Sequence, residues 1–153
     1  MTDETITARI QTDMVAAMKS KDVDRLSTLR MLKTALMEAK TKKPKDATLS
    51  GDEEIEVLQH YVKKRRETIV EFRKHGREDV VAKEEAEILV TMRFLPEPLS
   101  EDELRAIVRD AVAATGATTG KDMGKVIGAV MAQVKGRAEG AAVSRLVKAS
   151  LAS

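Results

Sequence analysis

Three stretches of this chain could do chemistry on phosphates: Lys63-Lys64-Arg65-Arg66, Lys135-Gly136-Arg137 and Gly116-Ala117-Thr118-Thr119-Gly120-Lys121. The last invites comparison with a phosphate loop, whose glycine-rich backbone cradles phosphates while a lysine neutralises them. It falls one residue short of that spacing. Asp122 stands where a Ser or Thr would hold magnesium, and no strand pattern precedes it. A helix end, a turn and the start of the next helix are expected there instead. Lys135-Gly136-Arg137 reads as a basic turn between two helices. It could complement a helix dipole or hold a phosphate, positioning a nucleic-acid backbone without reading bases. Lys63 to Arg66 point around a helix rather than forming one flat patch, and part of the run is expected to pair with acids such as Glu67 within four residues.

Catalytic constellations are thin. The chain has no cysteine, which excludes disulfides, thiol catalysis and cysteine-held metals. His60 and His75 have no metal-ligand neighbour at helical spacing, so each is expected as a surface histidine, and no metal or cofactor is expected. The carboxylates sit in charged runs, the pattern of solvated faces rather than of an acid–base pair with shifted pKa values. No enzyme is expected from these residues alone.

Gly120, Gly124 and Gly128 fall four apart. On a helix they would bare one face, and each would cost about 0.8–1 kcal/mol relative to Ala. Close approach of another backbone is the usual reason, either a neighbouring helix or a nucleic-acid chain.

The elements that must position these residues are helical. Aromatics are 2% of the 153 residues (Tyr61, Phe72 and Phe94), so the core must be aliphatic. Ile6, Ile10, Met14, Ala17 and Met18 share a helical face; Leu26, Leu29, Leu32 and Leu36 form a second stripe that ends before Pro44. Ser50 to Glu53 is a capping box opening a long helix with Ile55, Leu58, Val62, Ile69 and Phe72 inward, ended near Gly76. A helix over about 78–94 runs to Pro96. Pro96-Glu97-Pro98 marks the domain boundary, and Ser100 to Glu103 repeats the capping box ahead of Leu104, Ile107, Val108, Ala111 and Val112. Shorter helices are expected over about 120–134 and 140–151. The fold class is all-α: an N-terminal long-helix bundle over 1–95, then a small three-helix bundle over 99–153.

Charge alternates along the chain although the net is only +2. Residues 19–45 hold 9 basic and 3 acidic side chains, residues 46–62 hold 5 acidic and none basic, and residues 63–77 hold 7 basic and 2 acidic. Residues 78–103 turn acidic, with 9 against 2, and residues 117–153 return to net +4. Either helices of opposite sign pair their solvated faces, or the basic segments converge on an anion. No run of 18 apolar residues exists and Met1 to Ile10 lacks a signal-peptide stretch, so no membrane partner is expected and the cytoplasm is the default location.

Residues 121–131, Lys-Asp-Met-Gly-Lys-Val-Ile-Gly-Ala-Val-Met, followed by Val134-Lys135-Gly136-Arg137-Ala138-Glu139-Gly140, resemble the GatB/YqeY family. Leu29 to Lys33, Lys64 to Arg66, Phe72, Gly76-Arg77 and Phe94-Leu95-Pro96 extend the resemblance to its free-standing, YqeY-like members over nearly the whole chain. Glu139 departs from the family's Asp but keeps the charge. The resemblance implies a relation to the tRNA-contacting helical tail of the B subunit of tRNA-dependent amidotransferase. Its family label is carbon–nitrogen ligase activity with glutamine as amido donor. Nothing here resembles that subunit's catalytic cradle, so the activity is not expected of this chain by itself. Two functions follow: a tRNA-binding accessory protein, or a helical module docking on an enzyme of aminoacyl-tRNA metabolism. In the first, Lys125, Lys135 and Arg137 supply charge to tRNA phosphates and Gly136 lets the backbone come close.

Overall fold

The computed structural model describes residues 4–152. Helix ends follow local chemistry. The Ser50 hydroxyl accepts from the Glu53 amide at 3.1 Å while the Glu53 carboxylate accepts from the Ser50 amide at 2.8 Å. Ser100 and Glu103 repeat this reciprocal pair at 3.1 Å both ways. Each box satisfies amides that a helix start leaves without intrahelical partners. At the other ends, Gly76 and Gly116 both take φ +68°, a left-handed stop that glycine adopts without a Cβ clash.

Seven α-helices result: α1 (Ile6–Ser20), α2 (Val23–Thr41), α3 (Gly51–Lys74), α4 (Glu78–Met92), α5 (Glu101–Thr115), α6 (Met123–Val134) and α7 (Gly140–Ala152). A 3₁₀ turn over Gly120–Asp122 precedes α6, so the helix expected from 120 starts three residues later. There is no strand among the described residues. The chain divides into two compact units, one ending at Pro96 and the other beginning at Glu97.

In the N-terminal unit α1 pairs with α2 and α3 pairs with α4. Ile10, Leu29, Leu32, Leu36 and Leu58 fill one core, and Val62, Ile69, Val81 and Ile88 fill a second beside it. Met18, expected on the inward stripe of α1, is 48% exposed, because α1 ends two residues later at a left-handed Lys21. Glu54 is buried and caps a different helix. Its carboxylate accepts from the amides of Ile6 (3.3 Å) and Thr7 (2.8 Å) and from the Thr7 hydroxyl (2.6 Å). Three donors hold the start of α1 on α3, and they make burial of the charge tolerable.

In the C-terminal unit α5, α6 and α7 pack on one another. The core is Leu104, Val108, Val126, Val130, Val134, Val143, Leu146 and Val147, with no aromatic side chain. Arg137 ties the chain at residues 97–99 to this bundle. Its Nε donates to the Glu97 carbonyl at 2.9 Å, and its own carbonyl accepts from the Leu99 amide at 2.8 Å.

Candidate nucleic-acid interface

The residues proposed for phosphate contact lie on α6 and the turn after it. Lys125 is exposed in the first turn of α6, and Lys135 is the exposed residue that closes it. Lys135 takes left-handed backbone (φ 34°), and Gly136 follows at φ 85°. Two left-handed residues in succession reverse the chain sharply, and the Arg137 amide closes the turn on the Val134 carbonyl at 2.9 Å. Arg137 is exposed, but its Nε is committed to Glu97. It also lies close enough to Glu103 to help hold that carboxyl below its usual range, after the dominant hydrogen bonds from Ser100. Arg137 therefore has a structural duty that its place in a basic turn did not disclose.

The glycines correct an expectation. A Cβ built on Gly120, Gly124 or Gly128 meets no heavy atom within 4 Å. Among the described residues no neighbouring helix comes within that distance, so the helix-packing reason for their spacing does not hold. Gly120 lies in the 3₁₀ turn, not on α6. Gly124 and Gly128 stay on an exposed face of α6 together with Lys125, Ala129 and Ala132. That face is nearly devoid of side-chain bulk and open to whatever binds.

The loop before α6 binds its own carboxylate. Asp122 Oδ2 accepts from the amides of Thr118 (3.1 Å) and Thr119 (3.3 Å), which hold its carboxyl below the ordinary value. Two of the N–H groups that a phosphate loop would offer to a ligand are thus taken. Of the other cations here, Arg145 is paired with Glu101 at 3.0 Å, whereas Lys121 and Lys148 are exposed.

In the N-terminal unit the basic run on α3 divides. Lys63, Lys64 and Arg66 are exposed, whereas Arg65 turns inward. Its Nε lies 3.4 Å from both Glu84 and Glu87 of α4, and its guanidinium covers the Tyr61 ring at 4.5 Å. Its ion-pair partners come from α4, not from a nearby residue such as Glu67. The Glu84 and Glu87 side chains are only 14% and 12% exposed, so these carboxylates do not form the solvated face expected of their charged run. Burial and the neighbouring Glu84 push the Glu87 carboxyl up, against the pull of Arg65. Burial likewise raises the Tyr61 phenol. The sequence signal was the three-residue spacing of Glu84 and Glu87 on a helix that follows α3 by a short turn. His60 and His75 are exposed. No group of three or more His, Cys, Asp or Glu residues among those described could hold a metal, and no described helix is long and apolar enough to cross a membrane.

One family model covers nearly all of the described residues. The family model described as "Yqey-like protein" matches residues 7–151. Over 115 residues the chain is 33% identical to a protein of Pyrenophora tritici-repentis described as "Altered inheritance of mitochondria protein 41, mitochondrial". That match covers 72% of this chain and 61% of the relative, so the chain spans less than two thirds of that protein. A Schizosaccharomyces pombe protein described as "Uncharacterized protein C22F3.15" is 37% identical over 93 residues, covering 61% of this chain and 74% of its own length. With nearly every described residue inside the matched span, the chain belongs to the YqeY-like family.

Proposed function

We propose that this protein is a tRNA-binding accessory protein that grips the RNA backbone with the outer face of α6 and the turn after it. The observation that carries the reading is the bare, exposed Gly124/Gly128 face beside Lys125, leading to Lys135-Gly136-Arg137. An interior glycine costs a helix about 0.8–1 kcal/mol relative to alanine. Among the described residues no packed neighbour lies within 4 Å of a Cβ at either, so a backbone arriving from outside supplies the reason for them. Lysines on both sides suit phosphates, and the C-terminal unit has no aromatic ring on which bases could stack. Binding is therefore to backbone and shape rather than to base sequence.

The relation to the amidotransferase tail belongs to this proposal, as does a non-catalytic role in aminoacylation or transamidation. The cytoplasmic location expected from the sequence belongs to it too; the Pyrenophora relative is described as mitochondrial. The test is the variant Gly124→Ala/Gly128→Ala. Its stability should rise, by about 0.8–1 kcal/mol from Gly128 alone. Its affinity for total tRNA should fall about tenfold or more, since a methyl group in a close contact costs about 1–3 kcal/mol. Unchanged tRNA affinity in the stabilised variant would overturn the reading and favour docking on a protein.

A further inference from the structure

A separate surface lies in the N-terminal unit. An open groove of ≈ 790 Å³ runs between α2 and α3 and is lined wholly by residues of that unit. It exists because α2 presents Ala35 and Ala39 on this side, whereas Leu32 and Leu36, on the neighbouring stripe of the same helix, are buried in the core. Short side chains leave the space between the two helices unfilled. Met31, Leu49, Val57 and Tyr61 complete the apolar lining, and Met31 remains 37% exposed. From Arg30 to Ala39 the groove follows α2 for roughly 14 Å, about two and a half helical turns.

The charges along it are sorted. The Tyr61 hydroxyl donates to Met31 Sδ at 3.9 Å, which sets the register of the two helices and places Arg30 at the same end as Lys64. The other end, next to the loop that joins α2 to α3, carries Glu38, Glu53 and Glu56 against Lys42. Glu53 is already engaged by Ser50 and Lys43, which leaves Glu38 and Glu56 as the acids facing a ligand.

We infer that this groove is a docking site for an amphipathic helix of a partner protein. The helix seats its basic N-terminal end toward Glu38 and Glu56 and its acidic C-terminal end toward Arg30 and Lys64. An apolar channel a few turns long takes the apolar stripe of such a helix. The sorted charges complement both its side chains and its macrodipole, which is positive at the N-terminus and negative at the C-terminus. An RNA strand fits less well, because Glu38 and Glu56 repel phosphates and Tyr61 lies buried beneath the guanidinium of Arg65.

Fluorescence anisotropy on the full chain tests this with two labelled synthetic helices of about 14 residues, long enough to fill the groove. Both carry one leucine stripe. The forward peptide has lysines near its N-terminus and glutamates near its C-terminus, and the reversed peptide exchanges them. At low salt the forward peptide should bind about tenfold more tightly, since several rim charges change sign between the two. Arg30→Glu/Lys64→Glu should invert that preference, and Ala35→Phe, which fills the groove, should weaken the forward peptide about tenfold. Equal binding of the two peptides, binding of neither, or a preference unmoved by the charge-reversed variant would overturn the inference. So would displacement of the forward peptide by total tRNA, or a dimer in sedimentation that Ala35→Phe dissolves; these would give the groove to RNA or to a second copy. The other outcomes do not depend on whether α6 binds tRNA, and displacement by tRNA is read in Lys125→Gln/Lys135→Asn, which lacks the lysines proposed to hold tRNA there.

Discussion

The two units handle charge in opposite ways. In the N-terminal unit, charged side chains are drawn inward to tie helices together: Glu54 caps α1 from α3, and Arg65 of α3 lies between Glu84 and Glu87 of α4. Every aromatic residue of the chain is there as well, and two of the three lie under an arginine, with Arg9 over Phe94 at 5.3 Å and Arg65 over Tyr61. In the C-terminal unit the core is wholly aliphatic, no charged residue is buried, and the bare face of α6 leaves its lysine exposed. Cations that hold a fold together are desolvated and already engaged. Cations that stay hydrated at the surface are available to a polyanion. The contrast separates a unit that draws part of its charge in between helices from one whose charges, paired or not, stay at the surface.

Removing Arg65 should have the largest effect. Arg65→Met leaves Glu84 and Glu87 largely buried without their cation, and should cost about 3 kcal/mol. Hydrogen exchange should accelerate in α3 and α4 while α5 to α7 stay protected. Equal loss of protection in both units would break the contrast. Adding Glu84→Gln and Glu87→Gln to Arg65→Met should recover most of the loss, because no charge is then stranded. Glu54→Ala comes next, at about 2 kcal/mol, because it strips the buried Ile6 amide and the part-buried Thr7 amide and hydroxyl of their acceptor. Thermal unfolding measures the loss, and faster exchange at the start of α1 locates it.

The pH dependences are smaller and of opposite sign. The Glu87 carboxyl is raised, so its protonation favours the folded state. Its contribution is greatest at low pH and is lost as pH rises from the ordinary glutamate value through the raised one. Glu87→Gln should abolish that decline in urea titrations run at several pH values. Glu53 is held down to about 2, first by Lys43 and then by the Ser50 amide. Its contribution is complete above the ordinary glutamate value, about 4.3, and is lost as pH falls from there through about 2. Glu53→Gln should flatten the acid limb and leave the neutral region unchanged in slope.

Much of the fold was legible in the sequence because its signals are local. Ser50 with Glu53 and Ser100 with Glu103 mark helix starts, Gly76 and Gly116 mark stops, and the apolar spacing of Leu29, Leu32 and Leu36 names a buried stripe. The site was less legible because its determinants are not local. Arg65 finds its partners 19 and 22 positions away on another helix, which no charge count over four residues can register. Glu84 and Glu87 read as solvated because burial depends on what packs over them. The spacing of Gly124 and Gly128 announced a bare face, but the sequence carries no signal that none of the described residues packs over it. Arg137 read as a phosphate ligand alone, and its bond to the Glu97 carbonyl adds a structural role that no local pattern announces.

That last bond decides which residues probe the proposed RNA face most cleanly: Lys125→Gln and Lys135→Asn remove charge without breaking the Arg137 clasp, and asparagine suits the left-handed backbone at 135. The direct measurement is the affinity of the full chain for total tRNA as a function of salt. Three phosphate contacts predict a log–log slope of about −2 to −3, at roughly 0.7–0.9 per contact. The double variant should flatten that slope by about 1.4–1.8 and weaken all tRNAs alike. No binding at low salt, or a slope that the two substitutions leave unchanged, would contradict a C-terminal unit built to hold an RNA backbone.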